Sequence, residues 1–256
     1  MDFERHQFQH AGLTFSYLDS RVGERTLIAL HSHLMEAATF APLAAELSPV
    51  WRVVGLDQRG HGHTDHASSY TRADYISDLE AFFAHLRLSR AVLLGNSLGG
   101  VNAFQFAAFH PEQTTALIIE DIGATVSDDI RFILAWAGTF PTREALVAKV
   151  GERFAPYLAD SLRHTSDGWR LAFEPTEMLA SQSQLIGDHW RDWLATTCPA
   201  LLIRGRESRV TNLDEIEQMA QRRPNTMLVT LDGGHVLHFE DPLAFNATVR
   251  RFLDSL

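Results

Sequence analysis

Ala91-Val92-Leu93-Leu94-Gly95-Asn96-Ser97-Leu98-Gly99-Gly100-Val101 is the stretch that decides how this chain folds. An aliphatic run with strand character, Ala91 to Leu94, leads into a glycine-flanked serine, and a helical pattern, Val101 to Phe109, starts directly behind it. A serine at so sharp a strand-to-helix turn takes a strained backbone conformation. Its neighbours must be glycine for strand and helix to pass without side-chain clash. The Ser97 hydroxyl then projects into open space. The helix behind it aims amides and the positive end of its dipole at any oxyanion that develops there, with the Leu98 amide as first donor. Ser97 is therefore the candidate nucleophile.

A serine hydroxyl is a weak nucleophile alone, so a base must lie within hydrogen-bond reach and an acid must orient that base. His235 follows the expected strand Thr226 to Leu231 on a Gly233-Gly234 loop, where its ring can swing over the serine. His110, His164 and His189 fall on expected helices or their ends, and His238 follows His235 closely. Two residues fit the acid at this stage. Asp121 lies just beyond the strand Leu117 to Ile119, and Glu207 just beyond the strand Leu201 to Arg204.

Further aliphatic runs at Thr26 to Leu30, Val53 to Leu56 and Met227 to Val229 do not alternate with polar residues, which predicts strands buried on both faces. Between such runs lie helical patterns. Thr71-Arg72-Ala73-Asp74 offers a capping box, and Tyr75, Leu79, Phe82, Phe83 and Leu86 form an apolar stripe behind it. Strand and helix in alternation predict an α/β fold: a parallel sheet with helices on both faces, its functional groups at the carboxyl ends of the strands. From about residue 123 to 197 no convincing strand is found, only helical segments rich in aromatics, so 123–197 is expected to be a helical cap inserted into a core of 1–122 and 198–256. Asp241-Pro242 supplies an N-cap and first-turn proline for a last helix through Phe252.

Composition narrows the function. The chain has 256 residues, 45% of them hydrophobic, which rules out intrinsic disorder. A formal charge of −10 with no basic patch argues against nucleic acid as a partner. The single cysteine, Cys198, forms no internal disulfide, and the charged N-terminus lacks the apolar stretch of a secretory signal. The 19 residues from Ala91 to Phe109 carry no charge, but their polar side chains and glycines make a poor membrane span. A cytoplasmic protein without a membrane partner is expected.

Taken together, these residues resemble the α/β-hydrolase fold family in its serine-nucleophile branch, over the whole chain apart from the variable cap. His31 matches the His-Gly motif after an early strand. Asp57-Gln58-Arg59-Gly60-His61-Gly62-His63-Thr64 is similar to the Asp-x-Arg-Gly-His-Gly-x-Ser loop, and Ser97 and His235 match nucleophile and base. The resemblance implies a second oxyanion amide from His33, although Ser32 stands where the motif has glycine. The family's acid often falls in a Gly-x-x-Asp pattern, which here reads Gly205-Arg206-Glu207-Ser208. Similar small esterases place the acid in an Asp-Ile sequence after the preceding strand, matching Asp121-Ile122, so Asp121 is carried over as the acid with Glu207 in reserve.

The implied activity is hydrolysis of a small-molecule carboxylic ester, thioester or lactone through an acyl-enzyme, without metal or organic cofactor. Cleavage of a carbon-carbon bond beside a carbonyl, as in meta-cleavage-product hydrolases, is the alternative. Trp136, Phe140 and Trp190 are candidates to line an apolar acyl pocket, although aromatics at helical spacing more often pack a cap onto its core. Two other classes compete. His61-Gly62-His63-Thr64-Asp65-His66 fits the zinc motif of metallo-β-lactamase-like hydrolases, but that fold needs further ligands and stacked sheets where this pattern predicts one parallel sheet. A non-catalytic receptor of hydrolase fold has no need of a strained serine.

Overall fold

The computed structural model describes residues 3–256. In chain order its first elements are β1 (Glu4–His10), β2 (Leu13–Asp19), β3 (Arg25–Leu30), α1 (Ala41–Leu47), β4 (Trp51–Leu56), α2 (Arg72–Leu86), β5 (Ala91–Asn96), α3 (Leu98–Phe109) and β6 (Thr114–Glu120). Next come β7 (Thr125–Val126), α4 (Arg143–Val150), β8 (Leu162–Thr165), β9 (Gly168–Leu171), α5 (Pro175–Leu185), β10 (Gly187–Asp188) and α6 (Trp190–Ala195). The chain closes with β11 (Ala200–Gly205), α7 (Leu213–Arg222), β12 (Thr226–Leu231), α8 (Leu237–Glu240) and α9 (Pro242–Asp254).

Eight strands form one sheet in the order β1-β2-β4-β3-β5-β6-β11-β12. β1, β2 and β4 pair antiparallel at one end, and every pairing from β4 to β12 is parallel. After β3 the chain turns back to lay β4 on one side, then crosses to lay β5 on the other. The strand order therefore reverses at β3, and the carboxyl ends of β3 and β5 flank the crevice this reversal opens.

Successive strand residues feed opposite layers. Ile28, Leu30, Leu93, Leu117 and Leu202 pack with α2, α3 and the segment between β6 and β11, whereas Leu27, Ala29, Leu94, Ile118 and Ile203 pack against α1 and α9. With both faces covered, the strands can be aliphatic throughout, which is why their runs stand out in the sequence. Helix boundaries also follow local chemistry. Thr71 caps α2 by accepting from the Asp74 amide while Asp74 reaches back to the Thr71 amide, and Asp241 caps α9 ahead of Pro242.

Two parts of the architecture differ from the sequence-based expectation. β1 and β2 form an amino-terminal hairpin absent from that expectation, joined by Ala11 and Gly12, both with positive φ as a two-residue turn requires. β1 is an edge strand of Glu, Arg, His and Gln with only Phe8 buried, so its sequence shows no hydrophobic alternation. The segment 123–197 is not purely helical: besides α4, α5 and α6 it holds the antiparallel pairs β8-β9 and β7-β10, and His164 lies on β8 rather than on a helix. These strands are two to four residues long and half-exposed, too short for a periodic signal. Among the described residues no helix is long and apolar enough to cross a membrane.

Thr71→Ala removes the cap hydroxyl of α2 and is expected to lower unfolding free energy by about 1 kcal/mol, read from the urea midpoint at unchanged slope.

Candidate active site

Ser97 is the one half-buried residue in an otherwise buried stretch from 91 to 107. It links β5 to α3 with φ 52° and ψ −116°, a conformation L-residues rarely adopt. The flanking glycines make it possible. A Cβ on Gly95 would stand 2.1 Å from the Gly99 carbonyl oxygen, and one on Gly99 would stand 2.2 Å from the Leu30 carbonyl oxygen. The Ser97 amide donates to the Glu120 carbonyl at 3.1 Å, tying the turn to the end of β6.

Asn96 and Glu120 are cross-strand partners, so Ser97 and Asp121 are the next residues on neighbouring strands. Asp121 is buried and also has positive φ, 47°. Its carboxylate is saturated with donors. Oδ1 accepts from the Gly205 amide at 3.0 Å and the Thr211 hydroxyl at 2.9 Å, while Oδ2 accepts from the Ser208 hydroxyl and from His235 Nδ1 at 2.8 Å. That last bond places the ring proton on Nδ1 and leaves Nε2 as the free base. Burial opposes charge on His235, but the hydrogen bond it donates to Asp121 and the charges of Asp121, Glu120 and Asp128 outweigh it, and the pKa is raised above the ordinary 6.5.

The loop carrying His235 is gripped rather than free to swing. Glu240 accepts from the Gly234 and Val236 amides, and Asn96 Nδ2 donates to the His235 carbonyl at 3.0 Å. Among the described residues no hydrogen bond joins Ser97 Oγ to His235; in resting hydrolytic sites this contact is commonly long and tightens around substrate.

His31 and His33 lie in the loop that follows β3. His31 is fully buried, its Nδ1 bonded to the Ser32 carbonyl at 2.7 Å and its Nε2 accepting from the Gln58 amide at 3.0 Å, with burial bringing its pKa down to about 4. Ser32 tolerates the glycine position of the motif because the left-handed residue in this loop is Leu34, φ 74°. His33 Nε2 meets the Ser181 hydroxyl of α5 at 2.8 Å, and burial lowers its pKa to about 3. Among the described residues the His33 and Leu98 amides have no intramolecular acceptor, so both can donate to a bound oxygen.

The other sequence candidates lie elsewhere. Glu207 is exposed on the cavity rim with its amide on the Gly233 carbonyl, and Asp121 occupies the His235 nitrogen it would need. Residues 61 to 66 do not converge: His61 Nδ1 bonds the Arg59 carbonyl, His66 pairs with Glu177 of α5, and no cluster of three metal-ligating side chains occurs among the described residues. A cavity of about 580 Å³ opens at His235, His33 and Val236, walled on the far side by Phe154, Tyr157 and Leu158. Trp136, Phe140 and Trp190 do not line it. Trp136 packs edge-on behind Phe154, Phe140 exchanges backbone hydrogen bonds with Trp169, and Trp190 stacks under Arg222 of α7. Sequence reasoning also missed Asn96, Ser208 and Thr211. Ser208 stands at the last position of the Gly-x-x-Asp pattern, so that departure was itself the available signal.

Residues 27–248 match the sequence model of the Alpha/beta hydrolase family. The chain belongs to that family. A putative esterase/lipase of Haemophilus influenzae is 23% identical, the match covering 94% of this chain and 87% of the relative. The 2-(acetamidomethylene)succinate hydrolase of Mesorhizobium japonicum is 24% identical over 90% of this chain and 88% of its own. A solved E-2-(acetamidomethylene)succinate hydrolase superposes with a TM-score of 0.86 over 98% of this chain and 99% of that one, at 22% identity, a likeness of fold.

In this alpha/beta hydrolase the close approach of Gly99 to Leu30 sets how tightly the nucleophile turn can be drawn. Gly99→Ala forces backbone apart and is expected to cost about 3 kcal/mol, measured by urea denaturation.

Proposed function

We propose that this chain is a serine hydrolase that cleaves a carboxylic ester, thioester or lactone of a small to medium substrate through an acyl-enzyme. The observation that carries this reading is the hydrogen bond from His235 Nδ1 to the Asp121 carboxylate at the sheet end where Ser97 stands out of its turn. Relatives named as an esterase/lipase and as a hydrolase support it.

His235 Nε2 takes the proton from Ser97 Oγ as that oxygen attacks the substrate carbonyl carbon. The tetrahedral oxyanion is met by the Leu98 and His33 amides, the first at the amino end of α3. Its collapse breaks the bond to the leaving alcohol, which receives the proton back from His235. A water that gives its proton to His235 then attacks the acyl carbon and releases the carboxylic acid, restoring the Ser97 hydroxyl. Throughout, Asp121 keeps the proton on Nδ1 and balances the imidazolium that forms. The cavity's Phe154, Tyr157 and Leu158 favour an apolar acyl or alcohol group, and its volume of about 580 Å³ suits a small molecule.

Ser97→Ala is expected to abolish p-nitrophenyl ester turnover and fluorophosphonate labelling without changing the thermal midpoint. Full turnover by the folded variant would sink the scheme.

His235 works as a base only when neutral, and its raised pKa keeps it protonated above pH 6.5. Activity therefore declines as pH falls through that raised value, and the acid limb of kcat/KM is expected above pH 6.5. Asp121→Asn permits the wrong tautomer and is expected to lower kcat by roughly 10⁴-fold in the same assay.

A further inference from the structure

Behind the candidate triad lies a second histidine-carboxylate pair. Glu120, the last residue of β6, is fully buried, and its carboxylate accepts from the His238 amide at 2.9 Å and from His238 Nδ1 at 2.7 Å. Thr39 Oγ1 lies 2.9 Å from His238 Nε2, and the ring of Phe40 stacks on His238 at 4.6 Å. His238 is 2% exposed, so it meets no substrate. What it can do is hold the chain that carries His235, three residues before it.

Glu120 also holds the nucleophile. Its carbonyl accepts from the Ser97 amide and from Asn96 Nδ2, each at 3.1 Å, and the same Asn96 nitrogen donates to the His235 carbonyl at 3.0 Å. One residue thus grips the serine turn through its backbone and the histidine loop through its side chain.

We propose that Glu120, with His238 and Asn96, is a positioning device that fixes the His235 loop relative to Ser97, deepening and resting on the serine-hydrolase reading. Oε1 and Oε2 of Glu120 face two donors of the same residue, so a shorter or neutral side chain cannot satisfy both in the same way. A misplacement of about 1 Å between reacting groups costs on the order of 100-fold in rate, so the brace acts mainly on kcat, while the apolar cavity wall of Phe154, Tyr157 and Leu158, which does not touch it, keeps KM close to its value.

Glu120 also adds a negative charge near His235. The other titratable groups around that ring are Asp121, Asp128 and His33, with Glu240 on the adjacent amides and Arg153, Glu207 and Arg209 on the cavity wall.

The test compares Glu120→Gln, Glu120→Asp and Asn96→Ala with the wild type by kcat, KM, pH profile and thermal midpoint, after fluorophosphonate labelling of the wild type. Glu120→Gln is expected to lower kcat by on the order of 10- to 100-fold at near-constant KM and to move the acid limb to lower pH. Glu120→Asp keeps the charge but loses reach, so kcat falls while the limb moves less. Asn96→Ala is expected to lower kcat on the order of 10-fold with the limb in place, and it decides the matter alone if the Glu120 variants do not fold. Wild-type kcat in folded Glu120→Gln or Asn96→Ala overturns the brace and leaves the serine reading standing. A wild type that hydrolyses esters but resists labelling at Ser97 overturns both.

Discussion

The close approach of β3, the serine turn and α3 is the constraint on which the rest of the molecule depends. Backbone passes backbone at Gly95 and Gly99 with no room for a methyl group, and only under that compression does Ser97 take its positive φ. A conformation of this kind costs about 1–3 kcal/mol and persists only where its surroundings over-determine it. Here the surroundings are the aliphatic layers on both sheet faces and the bond from the Ser97 amide to Glu120. The stability of the core is in this sense converted into the exposure of one hydroxyl.

A second strained residue, Asp121, stands one strand away. Its four donors come from two stretches of chain: Gly205 at the end of β11 with Ser208 and Thr211 in the loop that leads to α7, and His235 after β12. Gly205 and Ser208, the first and last residues of the stretch compared with the Gly-x-x-Asp pattern, both donate to the Asp121 carboxylate, so the departure from that pattern and the presence of Asp121 are two halves of one arrangement.

The fold and the centre of the site were legible because they rest on local chemistry. Six strands showed as aliphatic runs, five of them largely buried and β12 half-exposed at the sheet edge against the expectation of burial on both faces, Thr71 and Asp74 showed as a capping box, and the serine turn as glycines on both sides of one hydroxyl. What escaped depends on contacts distant in sequence. Trp136, Phe140 and Trp190 pack on neighbouring residues, as aromatics at helical spacing mostly do, but nothing in the sequence marked Phe154, Tyr157 and Leu158 as the ones that line the cavity. β1 is too polar to announce itself, since among the described residues it pairs with β2 alone and most of its side chains meet water. His238 looked like a near-duplicate of His235, and only the side-chain bond to Glu120, 118 positions earlier, separates their roles.

The rings of His31 and His33 lie so deep that their pKa values sit near 4 and 3, and burial takes His61 in the same direction. These bases therefore stay uncharged across the interval in which His235 gains its proton. Mild acid adds no cationic charge to the wall that carries the His33 amide, and of these four imidazoles only one answers to the proton concentration around neutrality.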